Sequence, residues 1–192
     1  MKIGLFFGTY NPVHIGHMVI ANYMIEFTDL DQIWMVVSPQ NPFKVKDSIL
    51  KDRDRLHLMR LAIDDDPRFL ASDIEFSLPQ PNYTITTLAY LAEKYPDKEF
   101  ALIMGADNLN HFHKWKNYEE IIKNHELYVY PRMESNDGGE MRANYKVNYV
   151  EAPVMKISSS FIRKAIKDKK DVSLYMPKAV AQYLDEMNYY RS

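Results

Sequence analysis

Two short stretches hold the residue types needed to handle a polyphosphate. Residues 8–17 read GTYNPVHIGH and residues 157–163 read ISSSFIR. In the first, His14 and His17 flank Gly16, after the apolar run Ile3-Gly4-Leu5-Phe6-Phe7 and before an apolar, helix-period stretch from Met18. A strand, a tight loop and a helix start make an anion site. The first backbone N–H groups of a helix lack intrahelical partners, and the positive end of the dipole points the same way. Gly8 and Gly16 carry no Cβ, so backbone and ligand can approach closely. The imidazoles add donors or charge. In the second stretch, Ser158 or Ser159 suits the N-cap of the following helix. Arg163 falls one turn in, where a guanidinium can reach back and grip an anion with two N–H groups.

Other residues could join them. Lys44 follows Pro39, Pro42 and Phe43 in the turn-rich loop 38–48. Proline stiffening can hold its ammonium over a polyphosphate; the competing reading is a surface lysine. Residues 105–115, GADNLNHFHKW, contain Gly105, Asp107 and Trp115. An aromatic at a strand end can stack on a planar ring, more strongly if that ring is cationic, as a pyridinium is. Core packing competes for Trp115, and surface exposure for His111 and His113. Tyr83 and Thr84 to Thr87 form another loop-to-helix junction that can add polar contacts. Arg53 and Arg55 receive no role, and the lysines after Arg163 read as a solvated face. A histidine-based zinc site lacks a third ligand at any telling spacing. Neither GxxxxGK[ST] nor GxGxxG is present, which disfavours a P-loop enzyme and a dehydrogenase-type dinucleotide site.

Short apolar runs alternate with helix-period segments. Strands are expected at 2–7, 32–37, 69–76, 100–104, 127–130 and 147–150. Helices are expected at 16–28, from an Asp52 cap to 64, at 84–94, 118–124 and 159–168, and from Pro177 to 187. That order predicts an α/β, Rossmann-like doubly wound fold: a mostly parallel sheet with helices on both faces. Ligands in such sheets bind beyond the carboxyl ends of the strands, near a topological switch point. The turn after the first strand, Ser38 and Gly105-Ala106-Asp107 all belong to that edge. The polar stretch 133–142 reads as a surface loop.

Composition limits the partners. The 192 residues are 46% hydrophobic and 26% charged with net charge −2, so no global basic field advertises long nucleic acid. Cysteine is absent, which removes disulfides, thiolate nucleophiles and Cys-based zinc. No apolar run approaches the ~18–20 residues of a membrane span, and the start lacks a signal-peptide shape. A cytoplasmic protein of one domain, 1–192, is expected, with no membrane partner and a homo-oligomer left open.

At this point the motifs resemble a known family. GTYNPVHIGH looks like the (H/T)xGH nucleotidyltransferase signature and ISSSFIR like its second, ISSTxIR. With SPQNPFK, NYTITTL and GADNLNHFHKW between them, the chain resembles bacterial nicotinate-nucleotide adenylyltransferases over nearly its whole length. It departs at Thr9-Tyr10-Asn11, where the family usually has Gly-Thr-Phe-Asp, and at Ser160-Phe161, where Thr is usual. The resemblance implies AMP transfer from ATP to nicotinate mononucleotide, giving deamido-NAD and pyrophosphate in NAD biosynthesis, with Mg²⁺ carried on the ATP phosphates. It implies that His14, His17, Lys44 and Arg163 act on the phosphates. Gly8, Thr9, Tyr10, Gly16, Gly105 and Asp107 would line the ATP site. Ile157, Ser158 and Ser159 would complete it from the C-terminal helical part, 158–188. Asn11, Thr84, Thr87 and Trp115 would face the nicotinate nucleotide, with Asp107 close by.

The residues themselves suit that chemistry. An ionised phosphate nucleophile needs no protein base; it needs alignment and charge neutralisation. Three other readings compete. Adenylyl or cytidylyl transfer could go to another acceptor, phosphopantetheine or a phosphorylated alcohol. The chain could be a nucleotide-binding regulatory module without turnover, which the histidines and Arg163 argue against. An RNA-binding synthetase fragment would need a KMSKS-like motif and net basic charge.

Overall fold

The computed structural model describes residues 1–39, 49–133 and 139–191. Six parallel strands form one sheet: β1 (Lys2–Gly8), β2 (Gln32–Val37), β3 (Phe69–Ser72), β4 (Glu99–Gly105), β5 (Leu127–Tyr130) and β6 (Val147–Tyr149). Their order is β3-β2-β1-β4-β5-β6. Strand β1 therefore has β2 on one side and β4 on the other, and the winding reverses between β1 and β4. In sheets of this kind, ligands bind beyond the carboxyl ends of the strands at such a reversal.

Side-chain alternation decides which face each residue serves. Ile3 and Leu5 of β1, Trp34 and Val36 of β2, and Phe100, Leu102 and Met104 of β4 join one buried cluster. Helices α3 (Thr84–Lys94), α4 (Ala106–Leu109) and α5 (Tyr118–Asn124) close it with Leu88, Leu91, Leu109 and Ile121. The opposite residues Phe6, Ile33, Met35, Val37 and Ile103 join the second cluster. Helices α1 (Ile15–Phe27), α2 (Asp52–Ile63), α6 (Ser159–Lys167) and α7 (Lys178–Glu186) cover that face. Among the described residues no helix is long and apolar enough to cross a membrane.

Two boundaries differ from the sequence pattern. Strand β3 stops at Ser72 and Ile74–Ser77 turns as a 3-10 helix. The Ser72 hydroxyl accepts from Ile74 N–H and the Asp73 carbonyl from Phe76 N–H, so local partners replace the ladder. Asp52 is not the cap of α2: Lys51 is, and Asp52 lies in the first turn, bonded to Arg55. The short helix α4, directly after β4, has no periodic signal in its four residues.

Candidate active site

The first motif folds as a hinge between β1 and α1. Tyr10 takes a left-handed backbone conformation at φ 47° and tucks its ring back under the loop, where its hydroxyl donates to Phe6 O at 2.6 Å. Gly8 leaves room for that ring: a Cβ there would lie 2.7 Å from the Tyr10 ring. Tyr10 is therefore a buried support, and its side chain does not face a nucleotide as the sequence reading placed it. Exposed Thr9 and half-buried Gly8 remain at the surface there.

His14 stands at the N-cap of α1 in extended conformation. Its backbone N–H donates to Nδ1 of His17 at 3.2 Å, and the two rings stack with centroids 3.7 Å apart. Gly16 makes this stack feasible, because a Cβ there would press on the His14 ring at 3.1 Å. Burial holds His14 down to about pKa 4, helped by the positive charge of Arg132. Burial, then His14 and Arg132, hold His17 well below the ordinary histidine range. Both rings are neutral at pH 7. A neutral ring accepting at Nδ1 carries its proton on Nε2, so His17 has one fixed N–H to offer. Among the described residues, His14 Nδ1 is the buried side-chain polar atom that finds no partner.

The second motif docks onto the first. Ser158 caps α6 by accepting from Phe161 N–H at 3.1 Å. Ser159 donates to Pro12 O at 2.9 Å, and Arg163 donates to Asn11 O at 2.7 Å and to Ser160 Oγ at 3.2 Å. Ser159 is thus a strut, its proton already committed. A cleft of about 490 Å³ is lined by His14, Gly16, His17, Ile157, Ser158 and Ser159 from the two motifs and by Arg132. Gly105 and Asp107 sit at the end of β4 beside Arg132.

Two acceptor-side assignments do not survive. Asn11 is buried, and its Oδ1 accepts from Leu50 N–H and the Tyr190 hydroxyl. It is a joint holding the loop, not a ligand contact. Thr87 is wholly buried on α3 and donates to Glu75 Oε1 at 2.9 Å, so it cannot reach a substrate. Trp115 is half-buried against Phe112 with ring centroids 5.3 Å apart, and Thr84 is half-buried at the start of α3. Lys44 lies outside the described residues.

Sequence reasoning missed Arg132 and Arg55. Arg55 is fully buried and donates to Thr9 O, Ser38 O, Leu50 O and Asp52, tying the first loop to the end of β2. Neither lies in a motif. The one signal for Arg132 is its place two residues after a buried strand, at the ligand-binding edge.

The chain matches the cytidylyltransferase-like family model over residues 5–165. It is 55% identical to a "Probable nicotinate-nucleotide adenylyltransferase" of Flavobacterium psychrophilum, with 100% of both chains covered. The protein of the same name from Flavobacterium johnsoniae is 53% identical, again with 100% of both covered. Among solved structures, the nicotinic acid mononucleotide adenylyltransferase of Plasmodium falciparum complexed with NaAD superposes with TM-score 0.81 at 17% identity. That match covers 98% of this chain and 97% of the other, a likeness of fold.

Proposed function

This chain belongs to the nicotinate-nucleotide adenylyltransferase family, and we propose from that premise how its cleft transfers AMP from ATP to nicotinate mononucleotide. A phosphate oxygen of the mononucleotide attacks the α-phosphorus of ATP. The bond from that phosphorus to the bridging oxygen breaks, and pyrophosphate leaves with the electron pair. The products are deamido-NAD and pyrophosphate. No proton must move, since the nucleophile is already ionised. Catalysis is alignment of two anions and stabilisation of charge on the α-phosphate and the leaving group.

The stacked, neutral His14–His17 pair at the start of α1 carries this reading. In a dry site a fixed N–H donor acts on developing charge without reorganising. The outward N–H groups of Ile15 and Gly16 reinforce it, being the first of the helix. Arg163, half-buried one turn into α6, adds a permanent charge behind Asn11 and Ser160. Thr84 and Trp115 are the described residues left to meet the nicotinate nucleotide, and Lys44 belongs to the same proposal on the ATP side.

The protein's own donors do not fit a resident magnesium ion. Magnesium wants oxygen ligands, carboxylates above all, whereas this cleft offers imidazoles, a guanidinium and the neutral hydroxyls of Ser158, Ser159 and Ser160. Among the described residues no group of three or more His, Asp or Glu could hold a metal. We take Mg²⁺ to enter on the phosphate oxygens of ATP.

The test is incubation with ATP, Mg²⁺ and either nicotinate or nicotinamide mononucleotide, measuring pyrophosphate and dinucleotide. Dinucleotide from the nicotinate form is expected, with kcat reduced about 10²–10³-fold in His17→Ala, the range for losing one preorganised donor. No dinucleotide from either acceptor would refute the reading.

A further inference from the structure

We propose that Arg132 is a phosphate-binding residue of the ATP site, held on Asp107 until the nucleotide's phosphates take that carboxylate's place. The proposal rests on the adenylyl-transfer reading of the cleft. Arg132 leaves the carboxyl end of β5 two residues after Tyr130, which pairs with Gly105 at the end of β4. It lines the same cleft as His14, His17 and Ser158. Its Nε lies 3.5 Å from Asp107 Oδ1, and its guanidinium carbon 5.4 Å from the centre of the Tyr130 ring.

The charges in the cleft single it out. A triphosphate is strongly anionic, yet both histidines are held neutral. Arg163 is turned onto Asn11 O and Ser160. Of the described cleft-lining residues, Arg132 and exposed Lys156 bring permanent positive charge to the walls. Arg132 has the planar fork that phosphate favours, where lysine has a point charge.

The Asp107 pair is suited to exchange. Both side chains are about half exposed, at 47% and 52%, and 3.5 Å is longer than a good charged hydrogen bond. Such a pair is worth little in water. A phosphate accepting two charge-assisted bonds displaces it, while the carboxylate keeps the guanidinium near the cleft in the empty enzyme. The work divides accordingly: Arg132 supplies charge, and the imidazoles, kept neutral chiefly by burial, supply oriented N–H groups.

The experiment compares Arg132→Gln, Arg132→Lys and, as a remote charge control, Arg68→Gln. Arg68 is paired with Glu26 and Asp66 and precedes β3, at the opposite end of the sheet. Two readouts are taken: equilibrium binding of the α,β-methylene analogue of ATP, and separate KM values for ATP and nicotinate mononucleotide. Arg132→Gln should weaken analogue binding and raise the ATP KM about ten- to hundredfold, the scale of a charged hydrogen bond of about 1.5–3 kcal/mol. The KM for the mononucleotide should stay put, Arg132→Lys should fall between, and Arg68→Gln should match wild type. Unchanged analogue binding in Arg132→Gln would overturn the proposal, as would an equal loss in Arg68→Gln or a loss confined to the mononucleotide. Thermal melts check that the exposed substitution leaves the fold intact. Wild type that binds the analogue but makes no dinucleotide would sink the acceptor reading, and the binding comparison would still decide for or against Arg132.

Discussion

Replacing Arg55 by methionine should cost both stability and ATP turnover. The guanidinium is fully buried and donates to three main-chain carbonyls, Thr9 O, Ser38 O and Leu50 O, and to Asp52 Oδ1. Methionine keeps much of the stem and none of the donors. A buried acceptor left unsatisfied costs about 1–3 kcal/mol. Thr9 is exposed and Ser38 and Leu50 half-buried, so water reaches part of each residue and the low end applies. Asp52, 35% exposed, regains water and adds little. Removing a buried charge also relieves its desolvation, which offsets part of the loss. The net is about 2 kcal/mol, or roughly 4–8 °C in Tm for a chain of this size. Since Thr9 and Ser38 leave the adjacent strands β1 and β2, the loop carrying His14 should shift, and kcat/KM for ATP should fall at least tenfold. Calorimetry and steady-state kinetics check both. A Tm within about 2 °C of wild type would refute the energetic argument. A full loss of stability with unchanged kcat/KM for ATP would refute the positioning argument.

Two further outcomes follow from the same geometry. Because burial lowers the His14 pKa from 6.5 to about 4 in the fold, the unfolded chain binds the extra proton between those values. The stability contribution of this site is complete above about pH 6.5 and is lost as pH falls towards 4, by about 3 kcal/mol; denaturant titrations of the unliganded protein at pH 7 and pH 4.5 test it, with His14→Ala expected to flatten the slope. Gly8→Ala drives a Cβ to 2.7 Å from the Tyr10 ring, which is anchored through its hydroxyl to Phe6 O. Overpacking of this kind costs about 1–3 kcal/mol, and activity should fall with it; a melt unchanged from wild type would mean that the ring is free to move.

The strands and helices were legible because each is a local matter. Short apolar runs, period-3.6 patterns, proline and the serine cap act within a few residues, and they placed β1, β2, β4, α3 and α6 within about two residues. The end of β3 was not legible, since the 3-10 turn that replaces it depends on burying Ile74 and Glu75. The cleft itself was half legible. The histidine motif and the serine-arginine motif announce an anion site by residue type, and the fold brings them to one cleft.

By itself, then, the sequence determined the parallel α/β architecture and the two motifs that the fold brings to one cleft. It could not say which motif residues face the ligand and which hold the others in place. That was decided by contacts between residues far apart in the chain: Asn11 with Arg163 and Tyr190, Ser159 with Pro12, Arg55 with Thr9. Tyr10 and Asn11 looked like contacts because they lie inside the first motif, and Thr87 because it lies at a loop-to-helix junction; burial made each a support. Arg132 looked like nothing, because no local pattern marks a charge whose value comes from strands β4 and β5 lying side by side. Hydrogen-bond satisfaction and charge proximity are properties of three-dimensional distance, which local spacing encodes only within a turn or a strand.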